Sequence, residues 1–291
     1  MVIQSISFAS AVSFGDFVIA HSALNRIEGR AKSRTRLIAC SHLRDLNAIL
    51  PSGVRVTVVE TGEDRVPALF DVRKCGAWAA VGSAVSLRRR LQKVDRDTNE
   101  ALAFHALGVR ERFIAGRWPV IAPQVRRANV YKTYLGFLAD HEIRTTPSPV
   151  LRAGSPRTVG IFPESRLVEK RLSPSTLSII LDRAERAGLE AKLFVLDGDK
   201  VPYGERSATV TISRNFESLA SAIKSVDAVI SADSLPAHLA EYFGRPAFVA
   251  LSRRNEYWLP EECFTHKRWG IFSQAGFSSS LDRFIREPIA A

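Results

Sequence analysis

Short apolar runs alternate with helix-length stretches twice along this 291-residue chain, and a proline-rich segment separates the two series. In the first, residues 5–9, 36–40, 54–59 and 77–81 read as strands and 17–27, 43–50, 85–107 and 129–139 as helices. The segment 141–158, HEIRTTPSPVLRAGSPRT, holds three prolines and a glycine and reads as a linker. Beyond it the alternation resumes, with strands at 159–162, 191–196, 208–212, 227–231 and 247–251 and helices at 173–187, 216–224 and 235–243. Alternation of this kind buries parallel strands under helices on both faces. The expected fold is α/β: two Rossmann-like domains, 1–145 and 146–291, facing each other across a cleft. No sequence repeat accompanies the architectural echo.

Local signals sharpen several limits. Ser173 before Pro174 is a helix N-cap with proline at the first helical position, and Gly188 closes that helix. In the stretch 226–246, VDAVISADSLPAHLAEYFGRP, an apolar strand runs through a polar turn into a short helix that stops at Gly244 and Pro246. Asp233 and Ser234 then stand at the carboxyl end of a parallel strand and at a helix N-terminus together. Backbone N–H groups and the positive end of the helix dipole suit an anion there. His238, five residues on, can lean back toward the same mouth.

Charge points the same way. Lysine and arginine number 41 against 30 aspartate and glutamate, a formal net charge of +11, which attracts a nucleic acid, an anionic membrane surface or a phosphorylated substrate. The chain has no zinc finger, no RNA-recognition aromatic motif and no basic tail, so nucleic acid is not the expected partner. No apolar run approaches the ~18 to 20 residues of a membrane span, and residues 1–20 lack the basic start of a signal peptide. A cytoplasmic protein is expected. Cys40, Cys75 and Cys263 are far apart and odd in number, which reads as reduced thiols, and the six histidines form no metal motif.

Three turns after expected strands carry groups that could do chemistry. Gly15 and Asp16 head the first long helix. The loop 163–173 places Lys170 and Arg171 just before a helix N-terminus. Asp233, Ser234 and His238 form the third. Read singly, Asp16 is a helix cap and Lys170 and Arg171 are a solvated loop. Together they match what transfer from a nucleotide-linked donor requires: cations and a helix N-terminus for a diphosphate, and a carboxylate base for an acceptor hydroxyl.

The segment FESLASAIKSVDAVISADSLPAHLAEYFGRPAFVAL resembles the C-terminal signature of the glycosyltransferase family 9 heptosyltransferases, an Asp-Thr-Gly-x-x-His-x-Ala turn ahead of Gly-x-Pro. VGIFPESRLVEKRLSPSTL is similar to that family's Pro-Gly loop ending in Lys-Arg-Trp-Pro, and SFGDFVIAHSALNRI to its N-terminal Gly-Asp helix start. The resemblance implies a GT-B fold and inverting, metal-independent transfer of a sugar from a nucleotide diphosphate, with ADP-heptose the typical donor and a lipopolysaccharide core the acceptor. By position, Asp16 matches the family's catalytic base and Lys170 its phosphate-binding lysine, with Arg171 beside it. Asp233, Ser234 and His238 match the element that holds the donor's diphosphate and neighbouring sugar. The chain departs from the pattern at Leu235, where the family has glycine, at Leu172, where it has tryptophan, and at Glu164-Ser165, where Gly-Ala is usual.

The resemblance places the acceptor in the N-terminal half. Arg88, Arg89 and Lys93 are the expected ligands of an anionic glycan or lipid-linked acceptor, with peripheral association to an anionic membrane a further expectation. It also implies that the final helix, at 281–286, crosses back to the first domain. No cofactor is expected beyond the sugar nucleotide as substrate. A catalytically silent sugar-nucleotide or partner-binding protein is the alternative.

Overall fold

The computed structural model of the protein describes residues 5–10, 13–51, 53–59, 76–93, 100–103, 109–123, 127–147, 154, 156–199 and 208–286. The chain divides into two compact units, Met1–Arg127 with Tyr131–Pro147, and Ala128–Val130 with Ser148–Ala291.

The first unit runs β1 (Ser5–Ser10), α1 (Phe14–Asn25), β2 (Thr35–Cys40), α2 (Arg44–Ala48), β3 (Arg55–Val59), α3 (Ala77–Leu91), β4 (Glu100–Ala103), α4 (Val109–Ala115), β5 (Val120–Ile121) and α5 (Val130–Asp140). Its parallel sheet has the order β3-β2-β1-β4-β5. The direction of strand addition reverses between β1 and β4, the place where open α/β sheets hold ligands.

Three sequence expectations change here. Residues 77–81 are not a strand but the start of α3, which buries Ala84, Leu87 and Leu91 on one side against Ile38, Val59 and Leu102. That spacing is a helical stripe, and the apolar letters Trp78 and Val81 ahead of it point to solvent. Residues 100–103, expected inside a long helix, form β4, whose Ala101, Leu102 and Ala103 are all buried beside β1. Helix formers lie in a strand because a slot in the sheet centre outweighs propensity. The first helix opens three residues earlier than expected, because the Ser13 side chain caps it by accepting the Asp16 N–H at 3.2 Å.

The second unit runs β6 (Thr158–Phe162), α6 (Pro174–Arg186), β7 (Glu190–Leu196), β8 (Ala208–Ile212), α7 (Phe216–Lys224), β9 (Ala228–Ala232), α8 (Leu235–Tyr242), β10 (Ala247–Leu251), α9 (Glu261–Thr265), β11 (Trp269–Ile271) and α10 (Phe277–Arg286). All neighbouring strands are parallel, in the order β11-β10-β9-β6-β7-β8. β9 and β10 are buried along their whole length, as their unbroken apolar runs require.

Asp227, expected as a strand residue, stands just ahead of β9 and accepts the Arg157 and Thr158 N–H groups at 3.0 Å each, fixing β9 against the start of β6. Ser173 caps α6 by accepting the Thr176 N–H at 3.2 Å, and Gly188 takes the left-handed conformation that ends it, at φ 70°. A Cβ at Gly160 in β6 would lie 3.0 Å from Val226 and 3.1 Å from both Phe162 and Phe194, so a side chain there would push these three neighbours aside by a few tenths of an ångström. The final helix spends its apolar face within this unit. Phe277, Leu281, Phe284 and Ile285 join the core of Ile161, Leu177, Ile230 and Phe248, and Asp282 pairs with Arg183 at 2.5 Å.

Candidate functional site

In the second unit β6 pairs with β9 on one side and with β7 on the other, so the strand order reverses between β6 and β9. The loops leaving the carboxyl ends of these two strands flank a crevice that needs no side chain to create it. One is the loop 163–173 and the other the Asp233-Ser234 turn into α8.

The first loop is pinned at both ends. The Leu172 N–H donates to the Pro163 carbonyl at 3.0 Å, and the Leu172 side chain enters the core, an aliphatic anchor at the position where the resembling family carries tryptophan. Between these points a single 3₁₀ turn, Val168–Lys170, presents Lys170. Its Nζ lies 2.7 Å from Asp233 Oδ2, with the side chains 22% and 12% exposed. Arg171 turns elsewhere: its Nε donates to the Ser165 carbonyl at 2.9 Å and lies 3.1 Å from Glu164 Oε2.

The second loop is tied to the first by a hydroxyl. Ser234 has N-cap backbone geometry for α8 but makes no side-chain cap bond. Its Oγ instead lies within donating distance of the Glu164 carbonyl, at 3.1 Å, and of the Ala232 carbonyl, at 3.3 Å. Leu235 and Pro236 open the helix, so the positive end of the α8 dipole and the Lys170 ammonium share one mouth.

His238 lies one turn into α8 and is buried. Burial pushes its imidazole down to about 4, with the Asp233 carboxylate opposing and the Lys170 ammonium adding to the shift. Near neutral pH it is a neutral ring. One turn further, Glu241 is also buried, and its Oε2 accepts the Glu262 N–H at 2.8 Å at the start of α9. Burial raises this carboxyl to about 8 against the opposing backbone bonds. Neighbouring Cys263 donates its thiol to the Ala247 carbonyl at 3.2 Å and is held well above its usual range by burial.

Thus Lys170, Asp233, Ser234 and His238 lie together, while Arg171 serves the loop. Glu164 was legible only as a departure from a family pattern, yet its carbonyl receives Ser234 and its carboxylate Arg171. Glu241 was missed. A lone glutamate on a short helix carries no signal that it crosses to another helix start.

In the first unit Asp16 sits in the first turn of α1, after β1, on the crevice where that sheet reverses. The expected acceptor cations divide. Arg88 donates from Nη1 to the Phe113 carbonyl at 3.2 Å and stacks its guanidinium 4.9 Å from the Phe113 ring centre. Arg89 and Lys93 instead line a cavity of about 610 Å³ with Arg90, Ser86, Val58 and Val59. Arg88 points away because helical neighbours differ by about 100° in direction. Of the thiols, Cys40 is buried in the core and pushed up to about 12, and Cys75 lies outside the described residues. Among the described residues no group of three or more histidine, cysteine, aspartate or glutamate side chains could hold a metal ion, and no helix is long and apolar enough to cross a membrane.

No protein-family model and no curated protein matches the chain. Solved structures do. A glycosyl transferase family 9 protein from Veillonella parvula DSM 2008 is 13% identical, with 98% of this chain and 96% of that chain covered at a TM-score of 0.65. E. coli heptosyltransferase WaaC with ADP-2-deoxy-2-fluoro heptose is 12% identical over 97% and 98% of the two chains, TM-score 0.61. E. coli ADP-heptose lps heptosyltransferase II is 14% identical over 95% and 93%, TM-score 0.58. What is shared at such identities is architecture: the chain has the α/β fold, with two parallel doubly wound sheets, of these glycosyltransferases.

Proposed function

We propose that the chain is an inverting glycosyltransferase, in which the second unit holds a nucleotide-diphosphate sugar and Asp16 of the first unit serves as the base. The Asp16 carboxylate takes the proton of an acceptor hydroxyl as its oxygen bonds to the anomeric carbon. The bond to the diphosphate breaks on the opposite face, and the nucleoside diphosphate leaves with the electron pair. Lys170 and the positive end of the α8 dipole meet the charge on that leaving group, and neutral His238 offers a hydrogen bond to the sugar side of the site. ADP-heptose is the first donor to try, since a structural neighbour is described with an ADP-heptose analogue. An anionic glycan or lipid-linked molecule is the favoured acceptor, on the strength of Arg89 and Lys93 at the cavity. We place the reaction in the cytoplasm.

The observation that carries this reading is the 2.7 Å Lys170–Asp233 pair at the β6–β9 reversal, beside a helix N-terminus. Asp233 holds the ammonium where a diphosphate would arrive. The test is calorimetric titration with ADP-, GDP- and UDP-sugars, followed by release of nucleoside diphosphate with a phosphorylated core-oligosaccharide acceptor. Failure of every sugar nucleotide to bind would sink it.

A second reading, a sugar-nucleotide-binding protein without turnover, is favoured by Leu235. It stands at the first position of α8, where a side chain crowds a phosphate drawn to the backbone. Tight binding with no release on any acceptor, and turnover gained in Leu235→Gly, would support it.

A further inference from the structure

Three loops leave the carboxyl ends of neighbouring strands in the second unit: 163–173 after β6, the Asp233-Ser234 turn after β9 and 252–260 after β10. The polar groups of the first two are largely engaged. Lys170 pairs with Asp233 at 2.7 Å, and Arg171 Nε lies 3.1 Å from Glu164 Oε2. The start of α8 offers an anion little backbone. Pro236 has no N–H, the Ala237 N–H donates to the Ser234 carbonyl at 3.2 Å, and the Ser234 hydroxyl lies within donating distance of the Glu164 and Ala232 carbonyls. Among the first three residues of α8 that leaves the Leu235 N–H.

The third loop carries a cation that nothing in the protein uses. Ala250 of β10 pairs in register with Ala232 of β9, so Arg253, two residues past the end of β10, emerges beside the Asp233-Ser234 turn, the first two residues past the end of β9. The carboxylate of this loop is Glu256, and Arg254 takes it, Nε to Oε1 at 2.6 Å. Arg253 is exposed and has no ion pair or hydrogen bond among the described residues. The loop holds its shape without it: a 3₁₀ turn, Glu256–Trp258, follows, and the carbonyl of buried Leu259 accepts from Asn129 Nδ2 at 2.8 Å. Arg166 is exposed too, but its own loop also carries exposed Glu169.

We infer that Arg253 binds the diphosphate of the donor, in place of the helix-start backbone that Leu235 and Pro236 withhold. A guanidinium presents a planar fork that matches two phosphate oxygens, and its long stem lets it meet a phosphate that a leucine side chain keeps off the backbone. During transfer its charge offsets the charge that builds on the departing nucleoside diphosphate. The inference rests on the donor site proposed above.

The experiment is calorimetric titration of the full chain with inorganic pyrophosphate and with ADP, in the wild type, Arg253→Gln, Arg253→Lys and Arg166→Gln. Arg253→Gln should bind both about tenfold more weakly. Arg253→Lys, which keeps the charge and loses the fork, should fall between it and the wild type, and Arg166→Gln should stay within about twofold of the wild type. Thermal midpoints should be equal, since Arg253 holds nothing else in the chain. Equal affinity in the wild type and Arg253→Gln overturns the inference. So does an equal loss in Arg166→Gln, which makes the effect one of general charge, or a lowered thermal midpoint in Arg253→Gln, which makes the role structural. The two readings separate cleanly: a wild type that binds neither pyrophosphate nor any ADP-, GDP- or UDP-sugar removes the donor site and Arg253 with it, whereas binding that Arg253→Gln leaves unaltered keeps the donor site and removes Arg253 alone.

Discussion

The Lys170 ammonium and the Asp233 carboxylate meet at 2.7 Å from positions 63 residues apart in sequence. They meet because β6 and β9 are neighbours in the sheet although β7 and β8 intervene in the chain. Each side chain is mostly buried, so the pair fixes the loop 163–173 rather than decorating a surface.

Replacing Lys170 with methionine removes one charge-assisted contact to a diphosphate, worth about 1.5–3 kcal/mol. ADP affinity should fall by roughly 10- to 150-fold, and the thermal midpoint should also fall, because the mostly buried Asp233 carboxylate loses its partner. Calorimetry with ADP reads this directly. Unaltered affinity would remove Lys170 from the donor site.

Asp16→Asn keeps the shape of the α1 start and removes the base. Turnover should drop by roughly 10² to 10⁴-fold, while ADP affinity, which the proposed function assigns to the second unit, stays within about twofold. A variant that turns over at the wild-type rate would leave Asp16 as a helix-start residue only. A loss of turnover that tracks a loss of ADP affinity would place it on the donor instead.

The strands of the second unit up to β10 were legible because they are short apolar runs with a cap, a glycine or a proline nearby, as at Ser173, Gly188 and Gly244, whereas the three-residue β11 was not expected. In the first unit the same reasoning failed at 77–81, since five apolar letters carry no period of their own and the helical stripe that decides them lies further on, at Ala84, Leu87 and Leu91. It failed again at 100–103, where Ala101 and Leu102 have no strand preference and take their form from β1 beside them. Candidate residues were legible where a strand end and a helix start coincide. Which of them touch was not, because Lys170 reaching Asp233, and Arg88 turning to Phe113 while Arg89 lines the cavity, depend on strand order and helix packing.

His238 and His21 are both pushed down to about 4 by burial, and His42 is lowered for the same reason. Above pH 6.5 folded and unfolded chains are both neutral at these sites. As pH falls from 6.5 toward 4 the unfolded chain takes up protons that the folded chain refuses, so stability falls through that window and levels below it. Urea unfolding at several pH values should show this slope. In His238→Asn the slope should be shallower, with His21 and His42 supplying the remainder. An unchanged slope would mean that the His238 ring charges in the folded protein.

Glu241, one turn beyond His238 on α8, has the opposite dependence. Its carboxyl is raised to about 8 while its Oε2 accepts the Glu262 N–H, with Glu261, Glu262 and Cys263 around it. Below pH 4.5 the group is protonated in both states. From 4.5 upward the unfolded chain releases a proton that the folded chain retains until about 8, so stability declines through that interval and is flat above it. Glu241→Gln keeps an oxygen that can accept the Glu262 N–H and does not titrate. Its thermal midpoint relative to wild type should therefore rise between about pH 4.5 and 8 and then hold constant. Parallel curves for the two proteins across that range would show that Glu241 is ionised in the folded state, held by the backbone at the start of α9 in spite of its burial.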